Sequence, residues 1–128
     1  MKYINNWING KEVKSNNGEY VEKYNPHTGM IMSYFANSTN IDVNQSVNIA
    51  NSKFSEWKNF TPIKRGEYLN RLVELMRSNS NELANCFASE TGKILSDAVG
   101  ELNGAIKLGE FFSGEGMRMY GKTMTPIS

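Results

Sequence analysis

A mixed fold is predicted: α/β in class, α+β within this chain, with N-terminal β-hairpins followed by about four helices. Three observations lead there. Through the first third, short apolar runs alternate with asparagine- and glycine-bearing breaks, which is the pattern of hairpins. From Val43 onward, apolar residues recur at three- and four-residue steps, the spacing of one helix face. Helix-start and helix-stop signals then punctuate that spacing at Thr39, Thr61-Pro62, Ser80 and Gly92.

The strands come first. Asn9-Gly10 joins Trp7-Ile8 to Glu12-Val13, because both turn residues tolerate positive φ. Asn16-Asn17-Gly18 is a second break. Tyr20 to Tyr24 and Ile31 to Phe35 are expected to pair. Asn25-Pro26-His27-Thr28-Gly29 reverses the chain between them: proline presets one turn dihedral, and Gly29 closes the turn with φ above zero.

Four helices follow. Val43, Val47, Ala50, Phe54 and Trp57 share a face, with Thr39 or Asn40 as cap and Asp42 in the first turn. Thr61-Pro62 starts a second helix, a hydroxyl cap followed by proline where no amide donor is needed, and Leu69, Leu72, Val73 and Met76 form its stripe. Ser80 caps a third helix carrying Leu83, Cys86 and Phe87, with Gly92 as its stop. A fourth runs from about Ile94 towards Phe112, with Leu95, Val99, Leu102, Ile106 and Leu108. Its interior glycines, Gly100 and Gly104, share a face and are expected to admit another backbone there. No linker or repeat divides residues 1–128, which read as one structural unit.

Composition narrows the function. The 128 residues are 39% hydrophobic, with 14 basic and 13 acidic side chains and a net charge of +1. Neither sign forms a block, so nucleic acid is not an expected partner. One cysteine excludes an internal disulfide and favours a reducing compartment. No apolar stretch follows Lys2 as in a secretory signal, and no run is long enough for a membrane span. A cytoplasmic location is expected.

Individual motifs have modest readings on their own. Phe54 and Trp57 are expected in the core, given their helical spacing. Cys86 lies on an apolar stripe and reads as a small buried hydrophobe rather than a nucleophile. His27 reads as a solvated turn residue; with Cys86 it gives too few soft ligands for zinc. Arg65 is expected to be a buried or half-buried pairing residue, with Glu101 as a candidate partner. Gly116 to Thr123 reads G-x-x-x-x-G-K-T, the phosphate-cradling pattern. A helical pattern precedes it and Thr123-Met124-Thr125-Pro126 follows, so the strand and helix that a phosphate loop needs are both missing; coincidence is the preferred reading. A nucleotide-binding protein using Gly116-Thr123 remains one alternative, and a free-standing interaction module another.

Glu90-Thr91-Gly92-Lys93 is more informative because of its company. Upstream lie Asn25-Pro26-His27-Thr28-Gly29, then Phe54 and Trp57, then Arg65; downstream lies Glu101. In this order they resemble the N-terminal segment of the aldehyde dehydrogenase superfamily, from about Trp7 to the last residue. The resemblance implies an NAD- or NADP-dependent oxidation of an aldehyde to a carboxylic acid, in a parent several times longer. There a cysteine attacks the carbonyl, hydride passes to nicotinamide, and a glutamate-activated water releases the acid. Those residues and the dinucleotide cradle lie beyond position 128 in the family. The chain is therefore expected to hold no catalytic or cofactor-binding residue, to bind no NAD or NADP alone, and to be inactive by itself. The resemblance also implies a monovalent-cation site using the Glu90 carboxylate and the Tyr24 backbone carbonyl. A third ligand would come from elsewhere in the parent. The expected partners are the remainder of the dehydrogenase or another copy of the chain, met through the fourth helix and an extended segment over Gly121 to Ser128.

Overall fold

The structure, a computed structural model, describes residues 2–121. All of the segment expected to extend from Gly121 to Ser128 except Gly121, and with it the Lys122-Thr123 end of the glycine motif, lies outside the described residues. Contacts group the chain into two compact units, Met1–Asn59 with Ser89–Gly92, and Phe60–Ala88 with Lys93–Ser128. No feature of the sequence pattern marks this division.

The first unit is built on strands β1 (Lys2–Ile4), β2 (Asn6–Ile8), β3 (Lys11–Val13), β4 (Tyr20–Tyr24) and β5 (Ile31–Ala36). Asn9 and Gly10 take φ of 54° and 76°, so the predicted turn forms and β2 pairs antiparallel with β3. β4 and β5 also pair antiparallel as expected, with a register shift between Lys23 and Tyr24. One pairing has no counterpart in the sequence reading: β1 lies parallel to β5, giving a three-stranded sheet in the order β1-β5-β4. Tyr3 stacks on Tyr34 at 5.2 Å and meets Tyr20 edge-on at 4.9 Å. Aromatic contact therefore fastens the three strands together.

Helix α1 (Asn40–Trp57) completes this unit and starts at a capping box. Asp42 Oδ2 accepts from the Thr39 amide at 2.7 Å and the Thr39 hydroxyl at 2.9 Å. Its other oxygen accepts from the Asn16 amide at 2.8 Å, which ties the helix start to the loop before β4. The Thr39 amide, first among these donors, holds the Asp42 carboxyl below its ordinary value of 3.8; burial opposes the shift, and the Thr39 hydroxyl and Asn16 amide reinforce it. The stripe of α1 departs from expectation. Phe54 is 56% exposed and Trp57 42%, and Val43 and Val47 are exposed with them. The helix forms as its periodicity predicts, but these residues of its apolar face stay largely exposed.

The second unit contains α2 (Pro62–Ser78), most of α3 (Ser80–Thr91), α4 (Leu95–Ser113) and a 3₁₀ turn, Glu115–Met117. The Thr61 hydroxyl accepts from the Lys64 amide at 3.2 Å, capping α2 ahead of Pro62 as predicted. Ser80 begins α3 as its first helical residue instead of capping it, because α2 ends at Ser78 and only its C-cap, Asn79, separates the two helices. Val73, Ala84, Ala98 and Ile106 are buried.

The glycines of α4 are used differently from the prediction. A Cβ at Gly100 or Gly104 would meet nothing within 4 Å. Close approach occurs at Gly109, where a Cβ would lie 2.6 Å from Val73 Cγ2, and at Gly66, where it would overlap the Ser113 carbonyl. The contact face of α4 is thus set by its pairing with α2, and Arg77 of α2 forms an ion pair with Glu110 of α4 beside it.

Two measurements check these assignments. Urea unfolding should show Gly109→Ala destabilised by about 1–3 kcal/mol through overpacking, while Gly100→Ala gains roughly 0.5–1 kcal/mol from helix propensity. The Asp42 carboxyl is stabilised in its ionised form by folding. Its contribution is therefore complete above the ordinary carboxylate range and is lost as pH falls through its lowered folded value. Asp42→Asn should be less stable at neutral pH, and its unfolding midpoint should vary less with acidification than that of the unaltered protein.

Candidate functional site

The two motifs that the sequence singles out meet in space. Asn25 organises the first: its amide donates to Met30 O at 2.8 Å, its carbonyl accepts from the Gly29 amide at 2.8 Å, and its Oδ1 accepts from the His27 and Thr28 amides at 2.9 and 3.2 Å. The turn is thus held by side chain and backbone together. The second motif ends α3. Gly92 takes φ of 75°, and a Cβ on it would lie 3.0 Å from Pro26 Cγ and 3.8 Å from His27 Nε2. The glycine therefore stops the helix and lets the joint lie against the Asn25–Gly29 turn. His27 is exposed beside it, as read from the sequence.

Lys23 is absent from the sequence-based candidates, yet it is central to the geometry. Its Nζ lies 2.6 Å from Glu90 Oε1, with 27% of the lysine side chain and 39% of the glutamate side chain exposed. Two signals in the sequence point to it. Strand alternation turns Lys23 to the face opposite Glu22 and Tyr24, and α3 carries an acid in its last turn with no base on that turn. The tyrosine side chain goes elsewhere: the Tyr24 hydroxyl donates to Glu22, and that hydrogen bond, with the carboxylate's charge, raises the phenol above its ordinary value of 10.0.

A monovalent ion at Glu90 and the Tyr24 carbonyl would have to share the carboxylate with the Lys23 ammonium. Lys23 engages one of the two carboxylate oxygens, Oε1. Among the described residues, no group of three or more His, Cys, Asp or Glu side chains stands ready to hold a metal.

Other candidate residues are placed as follows. Lys93 pairs with Glu101 and lies 5.1 Å from the centre of the Phe87 ring. Arg65 does not meet Glu101; its Nη1 donates to the Phe60 carbonyl at 3.3 Å, stapling the turn into α2. Cys86 is exposed, contrary to the buried reading. The covered face of α3 is centred on Ala84, with Phe87 and Ala88 half-buried, and Cys86 follows Ala84 by two positions, on the other side of the helix. The phosphate-loop motif has the wrong surroundings. Helix α4 precedes it where a strand is required, and Gly116 sits in the 3₁₀ turn with its backbone against Pro62. Trp7, Ile8 and Ser46 line two adjoining grooves of about 220 and 420 Å³ along α1, floored by Val43 and Val47.

Residues 13–128 match the aldehyde dehydrogenase family. The chain is 38% identical over 117 residues to alpha-ketoglutaric semialdehyde dehydrogenase of Bacillus subtilis, covering 91% of this chain and 24% of that protein. It is 34% identical over 125 residues to malonate-semialdehyde dehydrogenase 2 of Bacillus cereus, covering 98% and 26%. Its fold matches an NADP-dependent enzyme of E. coli with a TM-score of 0.90 at 28% identity, covering 99% of this chain and 26% of that one. The chain spans about a quarter of the length of the curated relatives it matches.

Gly92→Ala tests the joint. Positive φ and the Pro26 contact both disfavour a Cβ, so the substitution should cost about 1–2 kcal/mol in urea unfolding. An unchanged midpoint would show that the joint does not need its observed backbone.

Proposed function

The chain belongs to the aldehyde dehydrogenase family, and from that premise we propose that residues 1–128 serve as the N-terminal portion of its NAD(P)-binding domain. On this reading the whole protein oxidises an aldehyde to a carboxylic acid with NAD or NADP as hydride acceptor. These residues contribute architecture and oxidise no aldehyde by themselves.

One observation carries the architectural role: α1 leaves Val43, Val47, Phe54 and Trp57 exposed along a single stripe. An apolar face of that kind is buried by whatever it is made to meet. The share of the relatives that the chain spans supports the same reading, since three quarters of their length has no counterpart in these residues. The chemistry that the described residues offer agrees with it. Lys23 and Glu90 are joined in one ion pair, and Lys93 and Glu101 in another. The remainder of the dehydrogenase is the preferred occupant of the α1 stripe, and a second copy of the chain is the alternative when these residues are alone. No helix among the described residues is long and apolar enough to cross a membrane.

The purified 128-residue polypeptide should form no NADH or NADPH with a panel of aldehydes. Turnover that survives Cys86→Ala would refute the architectural role. Sedimentation equilibrium should show self-association that weakens when Phe54 and Trp57 are both replaced by serine. A concentration-independent, thermally stable monomer would mean that the stripe needs no cover.

A further inference from the structure

We infer that Asn9-Gly10, of the chain's three Asn-Gly pairs, is the spontaneous deamidation site of the folded protein, and that its isoaspartate product undoes the β2–β3 turn. The inference is independent of the proposed activity, since it concerns one hairpin.

The chemistry needs no catalyst and no co-reactant but water. Glycine favours it because no side chain shields its amide and its backbone turns freely. The Gly10 amide nitrogen gives up its proton to solvent hydroxide and attacks Cγ of Asn9. A bond forms between that nitrogen and Cγ, the Cγ–Nδ2 bond breaks, and the side-chain nitrogen leaves as ammonia. Water then opens the resulting succinimide at either carbonyl. One opening yields aspartate; the other yields isoaspartate, whose main chain runs through Cγ. An amide and a water become an acid and an ammonia, with no change of oxidation state.

The three pairs are Asn9-Gly10, Asn17-Gly18 and Asn103-Gly104. All three asparagines are exposed, so access to solvent does not separate them. Their restraints do. Asn17 Oδ1 accepts from the Ser15 hydroxyl at 2.8 Å and the Glu19 amide at 3.0 Å, and its Nδ2 donates to Glu19 Oε2 at 3.0 Å. The Gly18 amide, which would have to attack, donates to the Ser15 carbonyl at 3.0 Å. Asn103-Gly104 lies inside α4, where the helix ladder occupies the glycine amide.

Asn9-Gly10 has neither kind of restraint. It is the tip of a two-residue turn between Ile8 and Lys11, with φ of 54° and 76°. A Cβ on Gly10 would meet nothing within 4 Å, so no neighbour braces the glycine there. Ring closure requires the Asn9 backbone to swing the Gly10 nitrogen towards Cγ, which takes the pair out of its turn. β2 and β3 have three residues each and form a two-stranded sheet apart from β1-β5-β4. A ribbon that short opens at small cost.

The two products differ in effect. Aspartate tolerates the left-handed backbone and can keep the turn. Isoaspartate adds a main-chain atom between Ile8 and Lys11, whose pairing the turn length sets. Either product brings a carboxylate to the groove that Asn9 lines with Trp7, Val47 and Lys53.

Trypsin places the three pairs on separate peptides, residues 3–11, 15–23 and 94–107. The purified folded protein is held in warm, mildly alkaline buffer, and each peptide is followed by mass spectrometry with fragmentation that distinguishes isoaspartate. Asn9 should convert about tenfold or more faster than Asn17 or Asn103, as the spread of local opening free energies allows. In guanidinium chloride the three rates should converge. Equal rates in the folded protein, or faster conversion at Asn17 or Asn103, would overturn the inference. So would a product at position 9 that is aspartate alone, which would mean direct hydrolysis without ring closure. The isolated isoaspartate form should lose amide-exchange protection at Ile8 and Lys11, whereas Asn9→Asp retains it; equal protection in the two would overturn the effect on the turn.

Discussion

Helix α3 must end within reach of β4, and this constraint organises the first unit. Gly92 makes it possible by leaving the helix at φ 75° with its α-carbon open towards Pro26. Most residues would lose about 1 kcal/mol or more in that backbone state, and any Cβ would crowd the proline ring. The proline cannot retreat easily. Asn25 fixes its turn with two backbone hydrogen bonds and two more to its side chain. Two rigid turns therefore meet, and Lys23 closes on Glu90 only because they do. The ion pair follows from the packing of the turns; the part-exposed charges are too well screened to position the chain themselves.

A different kind of constraint holds the second unit. Its packing is close because the residues at the contact are small. Gly66 and Gly109 let α2 and α4 approach until backbone and Val73 fill the space between them. Ala84 and Ala98 are buried in the same unit. Such an arrangement gains dispersion contacts at short range but buries little area per residue. Larger apolar residues on these helices, Leu72, Leu75, Leu108 and Phe111 among them, remain exposed. Apolar periodicity is therefore satisfied locally at the α2–α4 seam and left unsatisfied around it.

Much of the fold is legible because the informative residues act on their nearest neighbours. Asn9-Gly10, Thr39 with Asp42, Thr61-Pro62 and Gly92 each fix a turn or a helix end through bonds within a few residues, and all of them appear where predicted. The parallel β1–β5 pairing is not legible, since no local signal says which distant strand a three-residue segment will join. Burial is misread for the same reason. A helical stripe states that a face wants cover, and Phe54 and Trp57 show that it does not state where the cover lies. Gly100 and Gly104 carry a true message of weakness in α4 but not its cause, because the partner helix meets the face of Gly109 instead. At the candidate site, Glu90 and the Asn25–Gly29 turn are found by their pattern. Lys23 requires knowing that a strand residue comes within hydrogen-bond reach of a carboxylate far along the chain.

The two kinds of exposed group have different physical consequences. Charged side chains at the joint find partners within the first unit or close along the chain, so their exposure costs little. The α1 stripe has no such remedy. Aliphatic and aromatic surface cannot be neutralised by rotating a side chain, and water around Val47, Phe54 and Trp57 remains unfavourable until another apolar surface displaces it. Propensity and the Asp42 capping box can form α1 without that surface, since both act along the helix itself. They cannot set which way its apolar face is turned. A surface laid on the stripe would therefore do more than add stability: it would bear on the orientation of a helix that its cap and periodicity form without it.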